Sequence, residues 1–101
     1  MDRRMMNQLQ QMQTKLLKAQ EELGTLTVEG SAGGGAVRVT MNGHRELRDI
    51  VIAPEAVDPE DVETLQEMVA AAFNDASKKA QDLSEKKLGG LTGGMNIPGL
   101  F

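Results

Sequence analysis

Apolar residues in the first quarter of the chain recur at alternating steps of four and three, at Met5, Leu9, Met12, Leu16, Ala19, Leu23 and Leu26. Such a heptad pattern keeps a narrow stripe of a helix facing a second helix, whereas a helix on a globular core usually has a wider apolar face. Residues 2–23 are also good helix formers, and Gly24 is a suitable stop. The pattern predicts a long first helix that needs a partner helix.

Two strands are predicted after this helix. Residues 25–30 carry Thr, Leu and Val, and residues 37–41 alternate apolar and polar side chains. The glycine triplet 33–35 lies between them and predicts a turn. It does not match a phosphate-binding loop, because no Lys-Ser/Thr pair and no helix follows it.

A third strand is predicted over 45–52. Asn42-Gly43 precedes it, and this dipeptide favours a type I′ turn because both central residues need positive φ. Leu47 is out of phase with Ile50 and Ile52, which indicates a β-bulge or an edge position. The three segments together predict a small antiparallel sheet.

A second long helix is predicted to begin at residues 58–61, where Asp58 is a capping acceptor and Pro59 presets φ. Its apolar stripe continues at near-heptad spacing toward Gly89-Gly90, and its members are Val62, Leu65, Val69, Ala72, Phe73, Ala76, Ala80 and Leu83. Residues 89–101 are rich in glycine and contain Pro98, which predicts a flexible tail. We therefore expect one domain over 1–88 and a tail over 89–101.

The predicted order is helix, three strands, helix, which is an α+β subunit. The helices should reach roughly 35 and 45 Å and the strands only about 20 to 27 Å, so both helices overhang the sheet. The sequence has two Phe and no Trp or Tyr, so a single copy has few large side chains for a core. These features predict a dimer with projecting helices.

Candidate chemistry is sparse in this chain. There is no cysteine, which excludes disulfides and suits a reducing compartment. His44 is the single histidine and stands beside a predicted turn without an orienting partner. The carboxylates at 55–63 lack the spacing of a calcium loop, and apolar stretches are too short to span a bilayer. We expect a cytoplasmic protein that is not an enzyme and that uses no metal, cofactor, membrane or small-molecule substrate.

The charges are unevenly placed on a chain whose net charge is −4. Basic pairs occur at 3–4, 78–79 and 86–87, toward the start of the first helix and the end of the second. Such pairs either keep a helix soluble or form local patches for nucleic acid. The methionines likewise either fill a core or form a pliable groove for a peptide. No aromatic side chain stands near the basic pairs to stack unpaired bases, which favours duplex over single-stranded nucleic acid.

Four stretches resemble one known family. Residues 68–76 (MVAAAFNDA) resemble the central helix signature of the YbaB/EbfC family of bacterial nucleoid-associated proteins. The glycine turn and second strand at 29–43, the Met- and Gln-rich first helix and the segment GMNIPG at 94–99 are similar to the same family. Ala53 departs from it, because an acidic residue commonly precedes this proline. The resemblance implies a homodimer of α-β-β-β-α subunits that dimerises through the sheet region and holds its helices like tweezers.

The resemblance also implies a function. The family binds duplex DNA and alters its conformation, with possible roles in nucleoid organisation, gene expression and DNA protection in the bacterial nucleoid. By position, the implied DNA contacts are Arg3, Arg4, Lys15, Lys18, Lys78, Lys79, Lys86 and Lys87. The alternative is an adaptor or chaperone-like protein that binds another protein through its helical arms.

Overall fold

The computed structural model describes residues 2–91 and confirms the predicted α-β-β-β-α order. The elements are helix α1 (Arg3–Leu23), strands β1 (Thr27–Ala32), β2 (Val37–Asn42) and β3 (Leu47–Ile52), a short 3-10 turn (Pro54–Ala56) and helix α2 (Val62–Leu91). The strands form one antiparallel sheet in the order β1-β2-β3. The glycine triplet is the β1–β2 turn, and all three of its residues have positive φ.

The main core lies between α2 and the first two strands. Three β2 side chains are fully buried there against three alanines of α2, and the set is Val37, Val39, Met41, Ala72, Ala76 and Ala80. Small side chains let the helix approach closely. A methyl group added to Gly30 of β1 would overlap the backbone of Ala72 and Ala76. The sequence therefore needs glycine at this position because of the approaching helix.

Strand β3 is an edge strand that α2 leaves uncovered. The three buried β2 residues face apolar partners across the strand, namely Leu47, Ile50 and Ile52. Opposite residues of an antiparallel pair share one face of the sheet. These β3 side chains therefore lie on the helix-facing side, yet each remains 36–48% exposed. The predicted irregularity near Leu47 is confirmed, since the register shifts between Thr40 and Met41.

The second half of α1 packs on the end of α2. Ala19, Leu23 and Leu88 are buried together, flanked by Leu16, Leu83 and Leu91. Glu22 of α1 forms an ion pair with Lys87 of α2. The two helices run in opposite directions, so the start of α1 extends past Leu91 and the described part of the chain is 69 Å long.

The heptad stripe of α1 is thus divided. Its second half finds its partner helix within the same chain. Its first half does not: Met5, Leu9 and Met12 are 53%, 51% and 37% exposed. Within residues 2–91 nothing covers this half of the stripe.

The turn from β2 to β3 differs from the predicted type I′ turn. Asn42 is the last residue of β2 and is buried, and Gly43 does not have positive φ. The left-handed residue is instead Arg45, with φ 63°. Tertiary contacts explain the difference, because Asn42 and Gly43 donate hydrogen bonds to carbonyl groups at the end of α1 as well as taking part in their own turn.

Both ends of α2 also differ from prediction. Asp61 caps the helix by accepting from the backbone N–H of Thr64 at 3.3 Å, and Asp58 instead closes a turn by accepting from Glu60 N–H at 2.9 Å. At the other end, α2 continues through Gly89 and Gly90 to Leu91. Packing of Leu88 and Leu91 on α1 supports these extra residues. Residues 92–101, the rest of the predicted tail, lie outside the described residues.

Candidate nucleic-acid interface

One side of α1 carries a line of basic side chains. A helix turns by about 100° per residue, so two side chains separated by 11, 14 or 18 positions point in nearly the same direction. Arg4, Lys15, Lys18 and Glu22 have these spacings and therefore share one side. Arg4 and Lys15 are about 17 Å apart along the axis. Arg3 lies about 100° around the helix from Arg4.

The start of α1 is an unfavourable place for cations. Asp2 caps the helix by accepting from the Met5 N–H at 2.8 Å, and Arg3 and Arg4 follow in the first turn. The amino terminus of a helix carries partial positive charge, so acidic residues are stabilising there and basic ones are not. Both arginines are exposed and make no ion pair within residues 2–91. The two arginines therefore do not stabilise the helix start, and their contribution is positive charge on the exposed surface.

Lysines from both helices meet further along the same side of α1. Lys15 and Lys18 of α1 and Lys87 of α2 line a shallow groove of about 230 Å³, together with Ala19, Glu22 and Leu91. The Lys87 Nζ lies 2.7 Å from Glu22 Oε2. The hydrogen bond and charge of Lys87 lower the pKa of Glu22, with a smaller contribution from the charge of Lys18. Three cations against one carboxylate leave this groove positive.

We name the cations on this side the α1 stripe: Arg4, Lys15, Lys18 and Lys87. The first three come from one helix face and the fourth from the helix packed on it. The structure thus brings together four of the eight residues that the sequence singled out. Because the side chains of Arg4, Lys15 and Lys18 make no hydrogen bond or ion pair within residues 2–91, they are open to an anionic ligand.

The other lysines of α2 do not join this stripe. Lys78 is nine positions before Lys87, which is about 180° around the helix. Lys86 precedes Lys87 by one residue and points about 100° away, close to the direction of Lys79. Adjacent lysines in the sequence are therefore separated on the surface. The pairs 78–79 and 86–87 do not form two compact patches.

Lys79 has a structural role instead. Its Nζ lies 3.3 Å from Asp75 Oδ2 and donates to the Glu29 carbonyl at 3.0 Å. Asp75 Oδ2 also accepts from the Ser31 N–H at 3.0 Å. The hydrogen bond from the Ser31 N–H is the largest cause of a lowered pKa at Asp75, and the hydrogen bond and charge of Lys79 lower it further. The lysine and the carboxylate join α2 to the outer edge of β1.

Two arginines that the sequence analysis did not single out lie near the base of α1. Arg48 Nη2 donates to the Gly24 carbonyl at 3.1 Å, and Arg45 donates to Ser77 Oγ through Nε and Nη2 at 3.2 and 3.1 Å. They occur singly in a stretch of balanced charge, so no pattern marks them. Both hold elements together.

An apolar surface extends from α2 to β3. Leu65, Val69 and Phe73 line an open groove of about 480 Å³ with Gln66, Ala70 and Asn74. Asp75 and Lys79 mark the β1 side of α2, and Ser77 contacts the β2–β3 turn from the other side. Phe73 is one helical turn from Ser77, so the groove lies beside the uncovered β3 side chains. We name the two together the α2–β3 surface.

Metal-binding clusters and membrane-spanning helices are absent from the described residues. Residues 2–91 hold no group of three or more His, Asp or Glu side chains arranged to bind a metal ion. His44 is exposed on the β2–β3 turn. No helix in this part of the chain has the length and apolar character needed to cross a membrane.

Comparisons with known proteins agree on one family. The sequence profile of the YbaB/EbfC DNA-binding family matches residues 1–95. A nucleoid-associated protein of Pelotomaculum thermopropionicum is 58% identical over 98 residues, which is 97% of this chain and 93% of that protein. Another from Roseiflexus castenholzii is 60% identical over 89 residues, or 88% of each chain. The crystal structure of an uncharacterized Helicobacter pylori protein is similar with a TM-score of 0.71 and 28% identity, over 85% of this chain and 91% of that one.

Proposed function

The chain belongs to the YbaB/EbfC DNA-binding family, and from this membership we propose that it binds duplex DNA as a homodimer, mainly through phosphates. The observation that carries the proposal is the α1 stripe. It presents Arg4, Lys15 and Lys18 along one side of α1, whose start projects, with Lys87 of α2 beside them, on an acidic chain. Contacts of this kind position a protein on DNA without reading its sequence.

The dimensions of the stripe suit a duplex. Arg4 and Lys15 are about 17 Å apart, and successive base pairs rise about 3.4 Å, so this distance covers about five base pairs. A helix with its side chains is about 10–12 Å across, close to the width of the major groove. Arg3, Lys78 and Lys86 would contribute at the periphery, and Lys79 would act mainly by holding β1.

The homodimer is supported by the α2–β3 surface. Exposed apolar patches of this kind commonly mark interfaces, and β3 also presents an unpaired strand edge. A twofold dimer would cover the same surface on both copies. Two α1 stripes would then act on one duplex and change its conformation. We assign the protein a non-enzymatic role in the bacterial nucleoid, with effects on nucleoid organisation, gene expression and DNA protection.

The test is a mobility-shift titration with random-sequence duplex DNA. Lys15→Gln/Lys18→Gln removes two stripe cations, and Arg38→Glu on β2 lowers the charge by the same two units outside the proposed contacts, as a matched control. We expect the first variant to bind at least tenfold more weakly and the control to stay within threefold. If about six phosphates are neutralised, log affinity should fall against log salt with a slope near −5. A slope near zero, or equal losses in both variants, would contradict the proposal.

One observation favours a second candidate. The half-exposed Met5, Leu9 and Met12 offer an apolar strip on the projecting part of α1, as expected for an adaptor that holds another protein. Met5→Ser/Met12→Ser separates the two functions. It leaves DNA affinity unchanged if the stripe binds DNA, and it abolishes protein capture if the strip holds a partner.

A further inference from the structure

The base of α1 is held by a polar residue buried in the sheet. Asn42 has no exposed surface. Its Nδ2 donates to the Gly24 carbonyl at 3.2 Å and to Glu46 Oε1 at 2.7 Å, and its Oδ1 accepts from the N–H groups of His44 and Glu46 at 3.0 and 2.9 Å. An asparagine amide has two donor hydrogens and an oxygen with two lone pairs. All four are used, so this side chain fits one arrangement of the turn and the helix end.

Gly43 completes the junction. Its N–H donates to the Leu23 carbonyl at 2.8 Å and to the Leu26 carbonyl at 3.1 Å. A methyl group on Gly43 would come within 2.8 Å of the Leu23 carbonyl oxygen. The last turn of α1 therefore rests directly on the β2–β3 turn. Arg48 adds a second donor to the Gly24 carbonyl at 3.1 Å.

The junction is one of two anchors for α1. The other is the packing of α1 on the end of α2, through Leu16, Ala19 and Leu23 and the Glu22–Lys87 ion pair. Two anchors define a direction, whereas release of one would let α1 pivot on the other. Arg4 lies about 22 Å along the helix axis from Ala19, in the middle of that packing, so a 10° rotation about Ala19 would move Arg4 by roughly 4 Å. That displacement exceeds the 3.4 Å rise of one base pair, and the stripe would lose its alignment with the phosphates.

We infer that Asn42 is a positioning residue for DNA binding: by joining the end of α1 to the β2–β3 turn, it fixes the direction of α1 and the placement of the α1 stripe. The inference rests on the proposed function for its consequence in DNA binding. The geometric part, that Asn42 sets the direction of α1, stands on the junction alone. The two parts can therefore be measured separately.

The decisive variant is Asn42→Asp. It keeps the acceptor oxygen for His44 and Glu46 but places a carboxylate oxygen against the Gly24 carbonyl and the Glu46 carboxylate. Glu46→Gln alone is the matched control, because the amide oxygen can still accept from Asn42. In the double variant Asn42→Asp/Glu46→Gln, the new amide can donate to the new carboxylate and restores one of the two lost hydrogen bonds.

Two quantities are measured for each variant. The first is affinity for random duplex DNA. The second is a spin-label distance between Gln11→Cys on α1 and Ala71→Cys on α2, with labelled chains diluted in unlabelled ones. The absence of native cysteine makes this labelling specific. We expect a narrow distance distribution in the parent and in Glu46→Gln. Asn42→Asp should give a broadened distribution and about tenfold weaker DNA binding, and the double variant should recover part of both.

The outcomes distinguish the inference from the proposed function. If the parent does not bind DNA, the proposed function fails, and the distance distribution still decides whether Asn42 directs α1. If Asn42→Asp keeps a parental distribution and binds within twofold, the inference is wrong. If Asn42→Asp does not fold, Asn42→Ser removes both Nδ2 donors without placing a charge in the junction. A broadened distribution with about threefold weaker binding then supports the inference, and parental values for both overturn it.

Discussion

The two parts of the molecule are held by different forces. In the body, α2 packs so closely on β1 and β2 that Gly30 has no room for a methyl group, and Val37, Val39 and Met41 are fully buried. In the arm, which is the part of α1 before Leu16, every described side chain is exposed. The body therefore gains its free energy from burial, whereas the arm depends on helix propensity and on its base.

This difference separates stability from binding. A change in the buried core of the body, which is the packing of α2 on β1 and β2, should alter the free energy of unfolding and should alter DNA affinity only through loss of the fold. A change in the arm should alter DNA affinity and leave unfolding nearly unchanged.

Gly30→Val should damage the body most. The new side chain would overlap the backbone of Ala72 and Ala76, so α2 must move away from the sheet. We expect a loss of at least about 3 kcal/mol in the free energy of unfolding, measured by urea denaturation followed by circular dichroism. Gly34→Ala is the control, because its added methyl group meets nothing within 4 Å and only its φ of +67° is strained. Equal losses in the two variants would show that close packing is not the reason for glycine at 30.

Phe73→Asp should have the next largest effect, on assembly. It places a carboxylate in the middle of the α2–β3 surface, which a second copy must desolvate. We expect the dimer dissociation constant to rise at least 100-fold in sedimentation equilibrium. Leu17→Asp is the control, because Leu17 is an exposed apolar residue of α1 outside this surface. An unchanged dimer in Phe73→Asp would place the interface elsewhere.

The sequence predicts the body better than its junctions. Periodicity locates both helices and all three strands, because the buried stripes of α2 and β2 follow from local spacing. The chain does reverse at Asn42-Gly43, but the predicted type I′ geometry was wrong, and so was the predicted end of α2 at Gly89-Gly90. Local propensity indicated that turn type and a helix stop, and contacts with a distant segment prevailed in both places.

The candidate site shows the same limit. Adjacent lysines are visible in the sequence, but helix geometry directs neighbours about 100° apart, and only the packing of α1 on α2 brings Lys87 beside Lys15 and Lys18. The involvement of Lys79 with Asp75 and β1 depends on which strand α2 crosses. The sequence does not predict that Asn42 holds the end of α1, because the dipeptide Asn-Gly is common in ordinary turns.

Arg4→Glu should separate stability from binding within the arm. It removes a stripe cation, and we expect about tenfold weaker binding to duplex DNA by mobility shift. The same change favours the helix, because an acidic side chain in the first turn complements the helix dipole by about 0.3–1 kcal/mol. Circular dichroism should therefore show equal or greater helix content. Arg38→Glu on β2 is the control for the charge change. Weaker binding together with loss of helix would assign the effect to structure instead.

The smallest effect should be an acid dependence of two carboxylates, Glu22, which pairs with Lys87 of the other helix, and Asp75, which pairs with Lys79 one turn along α2. The pKa of Glu22 is lowered from its ordinary value of 4.5 by Lys87, and that of Asp75 from 3.8 by the Ser31 N–H and Lys79. A carboxyl group whose pKa is lower in the folded state stabilises that state above its unfolded pKa and loses this contribution as the pH falls through the folded value. Glu22→Gln should therefore lower Tm slightly at pH 7, and the difference from the parent should disappear below its lowered pKa. Asp75→Asn should show the same trend, with the difference lost as the pH falls through the lowered pKa of Asp75. A difference in Tm that is constant from pH 7 to pH 3 would show that neither ion pair contributes through its charge.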